Sequence, residues 1–451
     1  MQRESLGSRL GFILLSAGCA IGIGNVWKFP YLCGQSGGGI FVLVYLFFLV
    51  ILGLPAMTME FAMGRASGKS PVKMYQELEP EGSKWHLHGY VCMAGNYLLM
   101  MYYTTVAGWM LQYFARTAAG SFNGLEADQV AAAFTGGLGN PVIQAGCMLV
   151  VIVLGFWVNS QGLQNGLEKV TKVMMIALLV IMIILAINSI FLPGASEGLE
   201  FYLLPSMKRA SEIGFFQVCV NAMNQAFFTL SIGIGSMAIF GSYIGRDRAL
   251  MGESINVIVL DTFVAICSGL IIFPACFAYG VQPDSGPGLL FITLPNIFNH
   301  MALGRLWGSL FFVFMTFAAF STVLAVFENI MAMCMDQFGW SRKQAGLYNT
   351  IILTVLSLPC ALGFNVLSFI QPLGEGSSVL DFEDLIVSNY MLPIGAFLFV
   401  LFCTQRYGWG WDKFVEEADQ GSGMKVMQWM RPYTTYVLPL IVILVFILGI
   451  I

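Results

Sequence analysis

Charge is the scarcest thing in this chain. Of its 451 residues only 10% are Asp, Glu, Lys or Arg, against about 25% in an ordinary soluble domain. A surface so poor in charge cannot be solvated on all sides, so the composition excludes a water-soluble fold of this length. The net charge is −4, and the basic residues form no stripe that could follow a phosphate backbone, so no nucleic-acid partner is expected. There are three histidines. Only His86 and His88 lie close together, beside Trp85, and they are read as part of a solvated polar loop rather than as a metal site. Ten cysteines include no CxxC pair and fall mostly in apolar runs, where the thiol acts as a small hydrophobe. No Ser/His, Cys/His or metal constellation suggests an enzyme. No small-residue cleavage site follows MQRESLGSRLGF, so the first apolar run is read as a retained helix and not a leader.

What the chain has instead is hydrophobic length: 57% of it is apolar, with a mean hydropathy of +0.78. Runs long enough to cross a bilayer recur throughout. Eleven spans are expected, at about 10–35, 39–64, 88–115, 140–157, 166–191, 214–244, 251–281, 304–336, 343–366, 380–405 and 433–451. With the N-terminus in the cytoplasm, 16 of the 21 basic residues fall on the inner side and 5 on the outer, which is the positive-inside pattern. The reading is a multi-pass protein of the cell membrane, its only obligatory surroundings the lipid bilayer. An odd number of spans puts the C-terminus outside. The outer stretch 288–298, GLLFITLPNIF, is apolar enough to form a short helical lid.

Two of these spans are flawed in the same way. The first reads GCAIGIGNVWKFPY over 18–31, and the sixth reads TLSIGIG over 229–235. Three glycines within seven residues cost a helix about 1 kcal/mol each. Asn25 and Lys28 place polar groups at membrane depth, where they are expensive. The string Ile-Gly-Ile-Gly thus occurs mid-span in two helices five spans apart, which run in opposite directions. Gly-interrupted spans at matching places in two halves point to an inverted repeat with a site at its middle. A helix broken within the membrane frees N–H and C=O groups, tolerated only where they face protein or a watery cavity. Freed carbonyls can hold a cation, and a half-helix N-terminus attracts a carboxylate. A dinucleotide loop is excluded, because Trp27 stands where the third glycine would be and no strand precedes it.

Four stretches, GNVWKFPY (24–31), GGGIF (37–41), EFAMGR (60–65) and QAFFTLSIGIGS (225–236), resemble the neurotransmitter:sodium symporter family in its bacterial amino-acid-transporter branch. The resemblance covers about residues 1–405. It implies an all-α fold of the LeuT type, a five-plus-five inverted repeat with helices 1 and 6 broken. The repeats would be 1–190 and 214–405, with helix 11 at 433–451. It implies sodium-coupled import of an amino acid by alternating access, with two sodium ions as co-substrates. The runner-up is an amino-acid sensor on the same fold.

Carried over residue by residue, the first sodium site would use Ala20, Asn25, Thr229 and Asp261. The second would use Gly18, Ile21, Ala318, Ser321 and Thr322. Substrate would meet Gly22, Gly24, Leu99, Tyr103, Phe228, Ser231, Ile234, Thr322 and Val326. The side-chain pocket of Leu99, Phe228, Ile234, Thr322 and Val326 has no ionisable group, which implies apolar or aromatic amino acids. The family's amine carriers have Asp where Gly22 stands, which also favours an amino-acid substrate. Lys28 and Asp384, with Asp381 nearby, match the outer gate. Arg3 and Asp336 match the inner one, supported by Tyr243 and Glu328.

The chain also departs from the family pattern. Asp261 replaces the usual Asn, and Ala265 replaces a Ser of the chloride site that Tyr45, Gln225 and Thr229 otherwise match. This points to a built-in negative charge and chloride-independent transport, with proton antiport as the alternative use of a lone buried acid. Leu6 replaces a Trp of the inner plug. Gly166 is followed ten residues later by Ile176 and not Pro, which puts the unwinding of helix 5 in doubt.

Overall fold

The computed structural model describes residues 4–280 and 288–448. Among these no strand forms, and the only β-type pairing is a single bridge between Arg248 and Ser422. Eleven helical segments lie where the apolar runs are. They are α1 (Arg9–Ala20 and Gly24–Gln35), α2 (Gly39–Ser67), α3 (His86–Ala118), α4 (Pro141–Ser160), α5 (Leu163–Ile190) and α6 (Phe215–Thr229 and Ser236–Gly241). They continue with α7 (Leu250–Ala278), α8 (Gly304–Phe338), α9 (Arg342–Leu362), α10 (Val379–Thr404) and α11 (430–448). Seven are long and apolar enough to cross a membrane alone, and the two parts of α1 qualify together, bent by 53°.

Local chemistry sets the ends. Ser8 caps α1 by accepting from the Gly11 N–H at 3.0 Å. Gly68, in the left-handed region, closes α2, and Ser341 with Gln344 forms a capping box on α9. Lipid tails are as apolar as leucine, so helix association in a membrane rests on close packing more than on hydrophobic burial. Small residues mark the crossings accordingly: a side chain at Gly64 of α2 would strike the Ala238 backbone of α6, and one at Gly395 of α10 would strike Gly233 in the α6 break. Helices α3, α4, α8 and α9 pack on one another, while α1 rests on α7 and α8, and α2 lies on α6 and α7. Exposed Val150, Trp157, Val173, Ile176, Val180 and Ile187 make the outer faces of α4 and α5 apolar, as a lipid contact requires.

The structure moves one expectation. His86 and His88 are not in a loop: they form the first turn of α3. His88 is buried and shares a 2.8 Å hydrogen bond with the Tyr75 hydroxyl, while His86 meets Glu79 at 2.7 Å. Burial pushes the Glu79 carboxyl up, but the bonds from His86 and Ser83 outweigh it and hold the group below its ordinary range. Tyr75 and Phe399 form an aromatic slot for the His88 imidazole, which no local pattern reveals. The outer stretch forms two short helices, Leu289–Thr293 and Leu294–His300. Its Phe291 ring packs edge-on against Trp27 of α1 and Trp109 and Tyr113 of α3.

Candidate functional site

The two broken helices meet at their breaks. In α1 the α-helical hydrogen-bonding ends at Ile21, whose backbone is extended (φ −73°, ψ 102°). In α6 the break runs through Leu230–Gly235, where Ser231, Gly233 and Gly235 all take positive φ (51°, 101° and 72°). Gly233 and Gly235 meet that demand without cost, whereas Ser231 needs support. It has it: its hydroxyl donates to the Cys19 carbonyl at 3.1 Å, tying one break to the other. The Gln225 amide adds a second tie, donating to Gly24 O at 2.8 Å.

Beside the α1 break, five oxygens converge from two helices. Ser321 of α8 donates to Ile21 O at 3.2 Å and to Ala318 O at 2.9 Å. Thr322 lies 3.2 Å from both Gly18 O and Ile21 O. Both hydroxyl residues are buried. The set is all oxygen and all uncharged, the donor chemistry a hard cation takes. Within one helix Ser and Thr usually bond back to their own backbone; here Ser321 does so and also reaches α1, and Thr322 bonds to α1 carbonyls.

A second polar cluster lies on the other side of that break. Asn25, Thr229 and Asp261 are each fully buried. The Asn25 amide donates to Asp261 Oδ1 at 2.8 Å, and its oxygen accepts the Gly22 N–H at 3.1 Å. Thr229 Oγ1 lies 3.2 and 3.1 Å from the two carboxylate oxygens, and the Tyr45 hydroxyl reaches Oδ2 at 3.5 Å. Among the described residues no Lys or Arg accompanies Asp261. Ala20, buried in the α1 half of this region, also forms part of the wall of the cavity described below.

Between the two clusters is a narrow cavity. Of the substrate residues named from sequence, Gly22, Gly24, Leu99, Tyr103, Phe228, Ser231, Ile234 and Thr322 line it. Val326 is buried one turn along α8 from Thr322 and is not part of the wall. Cys19 and Leu392 do form part of it and were not anticipated. Cys19 sits inside the α1 motif and could have been named, but Leu392 comes from an unmarked apolar stretch of α10. The glycines are there for space: a side chain at Gly22 would meet the Tyr103 and Thr322 hydroxyls, and one at Gly24 would lie 2.8 Å from the Phe228 ring. The Tyr103 hydroxyl accepts the Ile23 N–H at 2.9 Å, so it is fixed against the freed backbone.

Above the cavity Lys28 Nζ lies 2.9 Å from Asp384 Oδ2 and 4.2 Å over the Phe228 ring. Tyr102 and Ser388 donate to Asp384 as well, at 3.0 and 2.6 Å. Asp381 serves the helix instead, accepting the N–H and hydroxyl of Ser378 at the start of α10. Below, the Tyr243 hydroxyl donates to Glu328 at 2.7 Å. Glu328 takes a two-pronged ion pair from Arg342, at 2.7 and 2.9 Å, which the sequence reading missed. Asp336 accepts the Ser70 N–H at 2.7 Å. Arg3 lies outside the described residues. Two further anchors of the N-terminal segment had no sequence signal: Glu168 takes the Gly7 N–H at 2.8 Å, and Arg9 pairs with Glu253 at 2.9 Å. Glu60, quoted above only as part of a motif, accepts the Gly233 N–H at 2.6 Å and so holds the α6 break.

The family model described as the sodium:neurotransmitter symporter family matches residues 3–125 and 132–451. The chain belongs to that family. Its members are transporters, and this one is a multi-pass membrane protein of sodium-dependent type. It is 35% identical to the uncharacterized sodium-dependent transporter YhdH of Bacillus subtilis (strain 168), over 88% of this chain and 86% of that one. It is 27% identical to the sodium-dependent serotonin transporter of Drosophila melanogaster, over 99% of this chain and 76% of that one. Among solved structures, MhsT in complex with L-phenylalanine superposes with a TM-score of 0.89 at 35% identity, covering 99% of each chain. The symporter fold seen here is therefore the LeuT type, with α1 and α6 as its broken helices.

Proposed function

We propose that this symporter carries an apolar or aromatic L-amino acid into the cell together with two sodium ions, without needing chloride. One observation carries the reading: the cavity between the two breaks is lined by freed backbone and the Tyr103 hydroxyl together with the apolar side chains of Leu99, Phe228 and Ile234, and has no Asp, Glu, Lys, Arg or His in its wall. A ligand fitting there brings its own pair of charges and an apolar side chain. MhsT, bound to L-phenylalanine in its crystal structure, supports the same class.

Sodium enters as a co-substrate. The first site would be Ala20, Asn25, Thr229 and Asp261, next to the position of the substrate carboxylate. The second would be the five oxygens of Gly18, Ile21, Ala318, Ser321 and Thr322. Ligands that share one coordination shell raise each other's affinity, and the coupling is reciprocal. Asp261 supplies the negative charge that a chloride ion would otherwise bring, so transport runs in either anion. Residues 1–190 and 214–405 form the two repeats, and α1, α2, α6 and α7 rock against α3, α4, α8 and α9. Lys28 with Asp384 latches the outer side. Tyr243, Glu328 and Asp336, with Arg3, latch the inner side, joined by Arg342. The protein resides in the cell membrane with its N-terminus in the cytoplasm and its C-terminus outside.

The test is uptake of each of the twenty amino acids into proteoliposomes under a sodium, potassium or proton gradient. Sodium-driven accumulation of apolar or aromatic amino acids is expected. Tight binding with no net uptake would overturn the reading in favour of a sensor. Asn25→Ala and Thr229→Ala should each weaken sodium and substrate binding together. A variant that loses sodium affinity yet binds substrate normally without sodium would break the shared-shell model.

A further inference from the structure

One buried acid outside both sodium clusters and the cavity has no cationic partner among the described residues. Glu383 is 3% exposed and stands one residue before Asp384 on α10. A step of one residue turns the side chain about 100° around the helix axis. Asp384 therefore meets Lys28 in the wall of a separate cavity of about 220 Å³, the vestibule, which Trp27, Tyr31, Tyr102 and Phe228 also line, while Glu383 turns into the contact with α3 and α9. The Cys360 thiol of α9 lies against its carboxyl, with the Thr105 hydroxyl of α3 next to that thiol. Glu383 Oε2 and Thr105 Oγ1 are both buried without a hydrogen-bond partner.

The groups around Glu383 offer nothing to balance a charge. On α10 itself, Asp381 is committed to the Ser378 cap, and Asp384 is committed to Lys28, Tyr102 and Ser388. On α3 there are Thr105 and Tyr102, and on α9 Cys360, all neutral. Among the described residues no Lys, Arg or His pairs with Glu383. An ionised carboxylate here would be a lone buried charge between two other acids, which costs several kcal/mol. A neutral carboxyl can stay, with its O–H as donor and its second oxygen as acceptor.

We propose that Glu383 is a proton-binding site that holds its proton while the outer end of α10 is packed against α3 and α9, and releases it when the outer gate opens. On opening, the outer end of α10 leaves α3 and water from the vestibule reaches the carboxyl. The O–H bond breaks, the proton passes to that water, and the carboxylate is left hydrated. Closing reverses each step. Because the proton binds the packed form more tightly, stripping it favours the open form, so an alkaline exterior opens the gate and an acid exterior holds it shut. This rests on Lys28–Asp384 being the outer latch.

Two measurements on the full-length protein in sodium-containing liposomes test it, and neither needs substrate. The first is the infrared carbonyl stretch of protonated carboxyl groups near neutral pH. Glu383→Gln, which keeps the size and hydrogen-bonding of the neutral acid, should remove one such band. An unchanged spectrum would overturn the proposal. The second is the spin-label distance between Gln35→Cys and Glu375→Cys, both exposed, with Cys147 and Cys219 changed to Ser. The open population should rise roughly fivefold or more from pH 6 to pH 9, the lower end of ordinary coupling, and should be flat in Glu383→Gln and Glu383→Met. A pH response that survives both substitutions would overturn it. Lys28→Ala separates the two ideas: an unaltered open population in that variant sinks the latch reading and leaves the infrared result standing.

Discussion

Gly22 is the position where one carbon atom has most to decide. A methyl group there would meet two hydroxyls, Tyr103 and Thr322, neither free to retreat: the first is bound to Ile23 N–H and the second to the carbonyls of α1. Overpacking of that kind costs about 1–3 kcal/mol. Gly22→Ala should therefore weaken substrate binding roughly ten- to a hundredfold in saturating sodium, as read by equilibrium binding, while the protein still folds. On the proposed reading, Asp261 sets the ion requirement. Wild-type uptake should be equal in chloride and gluconate media, and strict chloride dependence would rule out the built-in charge. Asp261→Asn leaves the Tyr45 and Thr229 hydroxyls and the Gln225 amide in place but removes the charge. Uptake by that variant should become chloride-dependent, in the same paired assay.

At the scale of elements, the two ends of the molecule are latched by chemically different pairs. Lys28 and Asp384 are 24% and 32% exposed in their side chains, so solvent screens them and the pair is worth about 1 kcal/mol or less. A weak pair suits the outer gate of the proposed mechanism, which must open in every cycle. The inner pair is another matter, because Glu328 is fully buried and Arg342 nearly so. Removing one partner of a buried pair leaves an uncompensated charge, at about 3–5 kcal/mol. Arg342→Met should thus lower the unfolding temperature in detergent sharply, and adding Glu328→Gln should recover much of the loss. A double-mutant cycle with additive losses would show that the pair does not couple. The breaks themselves belong to this scale: α6 can unwind because Glu60 accepts its Gly233 N–H and Asn96 donates to its Ile234 carbonyl, while Ser231 and Gln225 of α6 serve the freed α1 carbonyls of Cys19 and Gly24.

For the whole molecule, contacts at one end of the helix bundle fix which loops share a side. Arg65, at the end of α2, pairs with Glu417 at 2.7 Å and donates to the carbonyl of Arg248, joining the α2 end, the α6–α7 loop and the segment before α11. Arg342 reaches Glu4 at 3.0 Å. These are residues that the charge count places in the cytoplasm. Glu375→Cys should react with an impermeant maleimide on intact cells, and Asp412→Cys only after the membrane is opened. The opposite pattern would invert the topology.

The amino-acid sequence by itself determined the class, the span positions and the two breaks, because each follows from local causes: apolar length, the cost of glycine in a helix, and the price of polarity in lipid. It also named Asn25, Thr229, Asp261, Ser321 and Thr322, whose types and neighbours match a known family pattern. Tertiary structure decided which carbonyl meets which hydroxyl, that Leu392 reaches the cavity and Val326 does not, and that His88 is packed in an aromatic slot. It alone decided that Glu328 pairs with Arg342, and that Glu383 faces inward while its neighbour Asp384 faces the vestibule. Those outcomes depend on how one helix is rotated against another. Sequence spacing fixes a side chain's angle around its own helix, but only packing fixes what that angle faces.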